Sequence, residues 1–513
     1  MKTSPIFKTY NQSQAYLFPP SYDDFISQDH PVRLINSILD SIDISSIELG
    51  YKGGGTSSYH PRMLLKVIVY AYLRNIYSSR KIAQALEENV HFMWLSAGNQ
   101  PDHRTINDFR GKRLKGKLEP IFNQVVLFLN QEGVLSLKEL YIDGTKIEAN
   151  ANKFTFVWAK SIETNKAKIE QQLKDLWAYV EQVYQSESQE ITAPEIKDIS
   201  PEKVVGVIDK INQALEGKSV DSKVKSKLTY GKKNWPKNLA KYQEQQEILQ
   251  GRGSYSKTDT DATFMRMKDD YMKNGQLKPG YNLQVSSNNQ YITDYSLGQT
   301  TSDTSLFPNH IKAHIEQYNQ IPDTVTADAG YGSEENYELL EQNNIDAFVK
   351  YPYFHKEQRS KKHRENTFLA DNLYYNQQED YYVCPMGQHM ENIGTTTQKT
   401  KNGYEQTLTK YQAKNCHKCP MRGLCHKAKT NRIITRNHNL IRHKHKAKEL
   451  LTSEKGIEHR KQRCWDVEAI FGNIKQNKNY KRFMLRGLEK VQVETGLIAL
   501  AHNLNKYSLS QIA

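Results

Sequence analysis

Three acidic residues stand where they could act together on a phosphate group. Asp143 follows the apolar residues 140–142, and Asp328 follows residues 325–327, so each comes just past a segment that predicts a buried strand. An open sheet presents its functional side chains at such strand ends. Glu468 lies in a helical pattern further along the chain. We predict that these three acids are the catalytic residues.

The chemistry available to them is metal-dependent phosphoryl transfer. Three carboxylates brought together repel one another unless a cation neutralises them, and their oxygen atoms suit Mg²⁺ or Mn²⁺. Two such ions about 4 Å apart can activate an attacking oxygen and stabilise a leaving one. Lys475, seven residues after Glu468 on the same helical stripe, could contact a DNA phosphate. Taken singly, each acid could instead cap a turn, bind its own backbone or be solvated.

Strands and helices alternate around the acids, which predicts an α/β core. The alternation at 281–285 and 291–297, with a turn at 287–289, indicates a hairpin. Other strands are predicted at 137–143, 324–327 and 347–350, and helices at 306–318, at 333–342 and from about 465 to the end.

Residues 1–132 are predicted to form an all-helical domain. Pro61 can open one helix, Ser78 or Ser79 can cap a second, and a third begins near Asp102. The third helix resembles the recognition element of a helix-turn-helix. Its predicted DNA-contacting residues are Arg104, Arg110, Lys112 and Arg113. The alternative is a solvated basic helix.

Two insertions interrupt the predicted core, which comprises residues 133–152, 278–352 and 455–513. Residues 153–277 are mostly helical, and residues 353–454 are basic and contain a cysteine cluster. The predicted zinc ligands are Cys384, Cys416, Cys419 and Cys425, with His417 and His426 as substitutes. The alternative is four reduced thiols. Cys464 lies outside the cluster and is expected to be a packed helix residue.

The chain has 71 Lys and Arg against 57 Asp and Glu, a formal charge of +14 over 513 residues, which favours a polyanionic partner such as nucleic acid. The longest apolar run, residues 63–73, contains Lys66 and is far short of the roughly 20 residues that cross a bilayer. The first residues lack the apolar stretch of a secretory signal. We therefore expect no membrane association and a cytoplasmic location.

Four stretches carry a specific resemblance. The segments YIDGTKIEAN (141–150), ADAGYGS (327–333), VEAIFGNIK (467–475) and RFMLRGLEKV (482–491) are similar to motifs of bacterial insertion-sequence DDE transposases. The chain most resembles the group numbered eleven eighty-two, related to the IS-four and IS-five types.

That resemblance implies a ribonuclease-H-like core with the first Asp on the opening strand, the second after the fourth strand and the Glu on a later helix. It implies Mg²⁺-dependent cleavage that frees a 3′-hydroxyl, followed by attack of that hydroxyl on target DNA. The implied partners are double-stranded DNA, both terminal inverted repeats and target, and a second copy of the chain in a synaptic homodimer at the nucleoid.

Such transposases also carry a Tyr and an Arg upstream of the Glu. Here the corresponding positions hold Lys461 and Cys464, and Arg463 is displaced by one residue, which argues against Arg463 as a phosphate ligand. Three other acids are spare candidates, each expected to be a loop or cap residue: Asp259, Asp261 and Asp303. Two other functions stay open, a nuclease that cuts without rejoining and a transposase-derived DNA-binding regulator.

Overall fold

Seven α-helices precede the first strand in the described part of the chain. The computed structural model describes residues 12, 17, 20–51, 57–186, 191–194, 196–267 and 275–511, so the stretch on which the secretory-signal expectation depends lies outside the described residues. The helices are α1 Pro31–Ser41, α2 Ser45–Glu48, α3 Pro61–Leu73, α4 Ser79–Glu88, α5 Val90–Leu95, α6 His103–Asp108 and α7 Leu118–Gln131. A 3₁₀ turn, Tyr22–Phe25, precedes α1, and a π-helical turn, Phe109–Arg113, extends α6.

Local capping explains where the predicted helices begin. Pro61 is the first residue of α3, where its missing N–H costs nothing, and the His60 side chain accepts a hydrogen bond from Arg62 N. The carboxylate of Asp102 accepts one from Thr105 N at the start of α6. The predicted helix starts at Pro61, Ser79 and Asp102 are therefore confirmed.

The helical insertion has a core of its own. It comprises β2 and β3, a two-stranded antiparallel pair, and three helices between them. The elements from the first core strand onward are β1 Glu139–Glu148, β2 Phe156–Trp158, α8 Ala159–Ser186, α9 Pro201–Ala214, α10 Ser222–Leu249 and β3 Ser254–Ser256. The apolar stripes of the three helices pack together, burying Leu173, Ile208 and Leu239 among others. This confirms the prediction that residues 153–277 are mostly helical.

A six-stranded mixed sheet forms the centre of the described structure. Its remaining elements are β4 Thr263–Arg266, β5 Leu277–Asn288, β6 Tyr291–Gly298, α11 Phe307–Tyr318, β7 Thr324–Ala327, α12 Glu334–Gln342 and β8 Asp346–Val349. The order is β6-β5-β1-β7-β8, with β4 also pairing to β5. Strand β5 runs antiparallel to β1, whereas β7 and β8 run parallel to it. The predicted mixed α/β core is confirmed.

The predicted hairpin is also confirmed, with its turn placed two residues later. Asn289 and Gln290 have φ of +50° and +62°. Two successive left-handed residues match the twist of flanking strands, which is why such turns connect hairpins. Strand β5 begins at Leu277, four residues before the predicted start.

A second sheet occupies the cysteine-containing insertion, and a long helical segment follows it. The elements are α13 Phe354–Arg359, α14 Lys361–Arg364, β9 Tyr374–Asn376, β10 Tyr381–Val383, β11 His389–Lys399, β12 Glu405–Ala413, α15 Arg422–Cys425, β13 Ile433–Arg436, α16 His438–Thr452, α17 Glu454–Arg463, α18 Ala469–Gly472 and α19 Leu488–Ser510. The five strands form an antiparallel sheet in the order β13-β12-β11-β10-β9.

Residues 454–477 form one continuous helix, since α17 and α18 are joined and extended by π-helical turns at Cys464–Glu468 and Asn473–Asn477. It begins eleven residues before the predicted start near Trp465.

Two apolar cores cover the faces of the central sheet. One face packs against α19 and the N-terminal helices, and the other packs against α11, α12 and α16. The N-terminal helices therefore share their core with the sheet. Among the described residues, no helix combines the length and apolar character that crossing a membrane requires.

Arg110 lies inside this shared core, so the prediction that it contacts DNA is wrong for the structure described. It is 2% exposed, and its Nη1 donates to Tyr72 Oη at 3.0 Å and to Tyr77 O at 2.7 Å. The Tyr72 hydroxyl in turn donates to Glu494 Oε1 at 3.2 Å on α19. Burial raises the pKa of Glu494, opposed by the charge of Arg110. The guanidinium therefore ties α3 and α6 to α19.

Replacing Arg110 should destabilise the whole fold. Arg110→Met leaves the polar Tyr72 and Glu494 buried without their cation, and we expect the free energy of unfolding to fall by about 3 kcal/mol. Urea denaturation measures this. Lys112→Met is the matched control, because Lys112 is exposed and pairs only with Asp108 at the surface, and its effect should stay within about 0.5 kcal/mol. Equal midpoints for the two variants would contradict the structural role.

Candidate active site

The pairing of two parallel strands brings Asp143 and Asp328 together. In the register of β1 with β7 the last paired residues are Ile142 and Ala327, so the two aspartates are the next residues on adjacent strands. Residues at matching positions of neighbouring parallel strands project from the same face of the sheet. The two acids therefore lie side by side where β7 ends.

Asp143 was predicted to follow the end of its strand, but it lies within the strand because β1 continues to Glu148. There β1 is held by antiparallel pairing to β5, with Asp143 opposite Val285. The apolar run stops at Ile142, but the strand continues. Strand β7 pairs with β1 only up to Ile142, whereas β5 pairs with it as far as Glu148. Asp143 is 8% exposed.

A buried arginine links Asp143 to Glu468. Arg463 is 7% exposed; its Nη1 lies 3.3 Å from Asp143 Oδ2, and its Nη2 lies 3.7 Å from Glu468 Oε1. The Glu468 side chain is 60% exposed, so the glutamate faces outward from this pair. One guanidinium thus holds the helix of residues 454–477 against the sheet at the acids.

The π-helical turn explains how Arg463 reaches this position. A π-turn closes its hydrogen bond between residues i and i+5, one residue more than an α-helical turn. Arg463 precedes Glu468 by five residues and the turn spans Cys464–Glu468, so both side chains fall on one face. The one-residue displacement that argued against Arg463 is absorbed by the turn.

A fourth carboxylate, Asp303, joins the two aspartates. Its Oδ1 accepts hydrogen bonds from Asn282 Nδ2 at 2.7 Å and from Gln284 Nε2 at 3.0 Å, both on β5. The nearby Tyr331 hydroxyl donates to the side-chain oxygen of Gln284. Asp303, predicted as a loop or cap residue, therefore lies at the site.

The electrostatics of Tyr331 report the same grouping. Burial raises the pKa of Tyr331, and the negative charges of Asp303, Asp143 and Asp328 raise it further, whereas the charge of Arg463 lowers it. The three carboxylates and the arginine therefore all lie close enough to the Tyr331 hydroxyl to affect its pKa.

The other two spare acids serve a different purpose. Asp259 accepts hydrogen bonds from Tyr281 Oη at 3.0 Å and from Gly487 N at 3.2 Å. Asp261 Oδ2 accepts one from Leu488 N at 2.8 Å, the first residue of α19. Both acids hold the start of α19, so they agree with the expectation of cap residues.

Gly144 is required by the crowding around the acids. A Cβ there would lie 2.5 Å from Gln284 Nε2 and 2.7 Å from Asp303 Oδ1. Any side chain on the residue after Asp143 would therefore have to displace Gln284 of β5 or Asp303.

Two lysines border the site. Lys475 is 8% exposed and donates to Lys146 O at 3.1 Å on β1, so it holds the helix to the strand and is not displayed to solvent as a phosphate contact would be. Lys350 follows β8 and was not anticipated. Burial lowers its pKa, as does the charge of Arg463, while Asp328 is among the groups opposing the shift.

The all-oxygen donor set of the aspartates and glutamate suits Mg²⁺ or Mn²⁺. Their ligand atoms are not, however, already clustered: among the described residues, the only acid, histidine or cysteine group whose ligand atoms lie within 4.8 Å of one another is Glu338, Glu341 and His443. Binding one metal ion at these acids therefore requires their side chains to move closer together.

That tighter group is already neutralised by the protein itself. Arg442 Nη2 lies 2.8 Å from Glu341 Oε2, and Lys446 Nζ lies 3.0 Å from Glu341 Oε1. Hydrogen bonds from Arg442 and Lys446 lower the pKa of Glu341 to about 2. It is a salt-bridge cluster between α12 and α16.

Three predicted DNA contacts remain at the surface: Arg104, Lys112 and Arg113. Arg113 stacks 4.5 Å above the Tyr51 ring and donates to Gly50 O. Outside this region, Cys464 is exposed, so the prediction that it packs inside a helix interface is wrong.

Two segments of the chain match known protein families. Residues 383–508 match the family described as a transposase DDE domain, and residues 20–112 match a transposase domain termed DUF772. The two matches support a DDE transposase. A transposase acts on DNA, which makes DNA the implied substrate. The first match includes Arg463, Glu468 and most of α19 but begins after both aspartates in the chain. No curated protein and no solved structure matches the chain.

A methyl group at Gly144 should disable this site. In Gly144→Ala the Cβ must displace Gln284 or Asp303, and we expect a loss of about 1–3 kcal/mol in stability together with loss of DNA nicking. Urea denaturation and a nicking assay measure the two effects. Gly206→Ala is the control, because a Cβ there meets nothing within 4 Å and alanine favours a helix. A fully active Gly144→Ala protein would show that the crowded arrangement is not needed.

Proposed function

We propose that the protein is an insertion-sequence DDE transposase of the group numbered eleven eighty-two, which binds element ends and catalyses Mg²⁺-dependent DNA cleavage and strand transfer. The observation that carries the proposal is the alignment of Asp143 with Asp328 on adjacent parallel strands, joined through Arg463 to Glu468. The two transposase-family matches support it independently.

The sheet supports a ribonuclease-H-like core. Leaving aside the short β4, its strands lie in the chain order third, second, first, fourth, fifth, and the second is antiparallel to the first. Asp143 lies on the first strand, Asp328 follows the fourth, and Glu468 lies on a later helix. This is the placement that the resemblance implies.

The residues suggest a division of labour. Asp143, Asp328 and Glu468 would hold Mg²⁺ or Mn²⁺, with Asp303 beside them, and the bound metal would activate the attacking oxygen and neutralise charge on the phosphate. Arg463 keeps two of the acids together through its contacts with Asp143 and Glu468. Lys350 adds positive charge next to Arg463 and Asp328.

DNA binding is assigned to the N-terminal helices and to the overall positive charge. Arg104, Lys112 and Arg113 are exposed on or directly after α6, whose neighbour α4 completes a helix-turn-helix-like pair. Contacts of this kind supply salt-dependent affinity for the backbone. Two element ends must be held at once, so the active species is proposed to be a homodimer.

Removal of any one of the three acids should abolish cleavage and leave binding. Asp143→Asn, Asp328→Asn and Glu468→Gln each remove a metal ligand, and we expect nicking of the element's own ends to fall more than about a hundredfold, since even loss of a supporting residue costs 10–100-fold. Gel-shift affinity should change little, because phosphate contacts elsewhere dominate it. Nicking assays in Mg²⁺ measure the loss.

Two exposed acids provide matched controls. Asp323 lies at the opposite end of β7 from Asp328, and Glu458 lies ten residues before Glu468 in the same continuous helix. The control variants are Asp323→Asn and Glu458→Gln. Both variants should keep wild-type nicking. A catalytic-site variant that still cleaves would remove that residue from the site.

The fate of the cleaved end separates transposase from nuclease. Labelled DNA carrying the gene's own flanks should give products joined to a target plasmid in Mg²⁺ and none without it. Metal-dependent cleavage without joining would favour the nuclease, and binding without cleavage would favour a regulator.

A further inference from the structure

Four of the five cysteines surround one small cavity in the antiparallel sheet of β9 to β13. Cys384 follows β10, Cys416 and Cys419 lie in the loop after β12, and Cys425 ends α15. All four line the same cavity, together with His426 and Arg432. Segments separated by more than 30 residues in the chain thus place their cysteines around the same cavity.

Tight turns shape the two loops that carry three of these thiols. Gly387 N donates to Cys384 O at 2.8 Å, and Gly387 has a φ of +77°. Cys419 N lies 3.4 Å from Cys416 O, and the intervening Lys418 has a φ of +59°, which a residue with a side chain rarely adopts. Each cysteine loop is therefore folded back on itself around the cavity.

Two of the sulfur atoms accept hydrogen bonds from Arg432. Cys416 Sγ accepts from Arg432 N at 3.3 Å, and Cys425 Sγ accepts from Arg432 Nη1 at 3.1 Å. Arg432 therefore holds two of the four sulfur atoms in position at the cavity.

A histidine at the cavity wall is also suited to a metal. Neither buried ring nitrogen of His426 has a hydrogen-bond partner within the described structure. His426 can serve as a substitute ligand if one thiol does not reach the ion.

The apolar core of this sheet is small. Its core consists of seven buried residues: Leu373, Tyr382, Met390, Tyr411, Ala413, Cys416 and Ile434. Small modules with so few buried side chains commonly depend on a bound metal or disulfides. All four cavity cysteines are free thiols.

We propose that Cys384, Cys416, Cys419 and Cys425 bind one Zn²⁺ in a closed structural site that stabilises this sheet. Zinc with four sulfur ligands at about 2.3 Å would hold the sulfur atoms about 3.8 Å apart. No three of them lie within 4.8 Å of one another now, so binding requires their side chains to rotate inward. This site is separate from the proposed catalytic carboxylates, and its test does not depend on DNA cleavage.

The metal content of the purified full-length protein tests the proposal first. We expect about one zinc ion per chain by mass spectrometry of the metal, and four thiols that react with Ellman's reagent only after a chelator is added. Cobalt substituted for zinc should give the sulfur-to-metal absorption and the d–d bands of a tetrahedral site. A protein that stays metal-free after incubation with zinc, with all five thiols reactive at once, would overturn the proposal.

Paired cysteine variants locate the ion. Cys419→Ser should lose zinc, or hold it at least tenfold more weakly, and should unfold at lower temperature. Cys464→Ser is the matched control, because Cys464 is exposed and outside the cavity, and it should keep one zinc ion. Zinc retained in Cys419→Ser at wild-type affinity, or lost in Cys464→Ser, would contradict the assignment. If Cys419→Ser is insoluble, the wild-type zinc content and cobalt spectrum decide alone.

Discussion

The ion pairs of Arg463 with Asp143 and Glu468 are the interaction on which the candidate site depends. Carboxylates placed together in a partly buried position repel one another, and Arg463 supplies a compensating charge from within the group. Because Arg463 and Glu468 share the long helix and Asp143 lies on β1, the same contact joins that helix to the sheet. The π-turn between the two helix residues is what makes it geometrically available.

The rest of the fold keeps these two elements in place. Helix α19 is buried between the sheet and the N-terminal helices, and the Arg110, Tyr72 and Glu494 contacts connect those helices to it. On the other side, the β11–β12 hairpin of the cysteine-containing sheet reaches back to the site: Asn402 Nδ2 lies 3.3 Å from Ser305 O, two residues beyond Asp303. Both parts that match transposase families therefore pack onto the core that carries the aspartates.

Local signals in the sequence were enough for much of the fold. Strand β7, the caps at Asp102 and Ser333, and the β5–β6 hairpin follow from apolar runs and turn residues that act over a few positions. Long-range effects were not readable in this way. Arg110 looks like one more basic helix residue, because its buried partner Glu494 lies 384 positions away in the chain, beyond any periodic pattern.

The residues of the candidate site also fall into those that local sequence signals identify and those that long-range contacts bring in. Asp143, Asp328 and Glu468 are identified by the residues next to them in the sequence. Asp303 is held at the site by hydrogen bonds from side chains of β5. The role of Arg463 depends on a π-turn that no apolar repeat reveals, and a count of residues alone argued against it. Spacing rules assume regular helices, so they fail where one residue is inserted.

The proposed divalent-metal centre is formed by the carboxylates around Asp143. Iron-directed cleavage tests it most directly: Fe²⁺ replaces Mg²⁺, ascorbate and peroxide generate hydroxyl radicals at the bound ion, and mass spectrometry maps the backbone cuts. We expect cuts near Asp143, Asp303 and Asp328 that excess Mg²⁺ suppresses. Cuts confined to residues 338–341 and His443, with none at the sheet edge, would contradict this expectation.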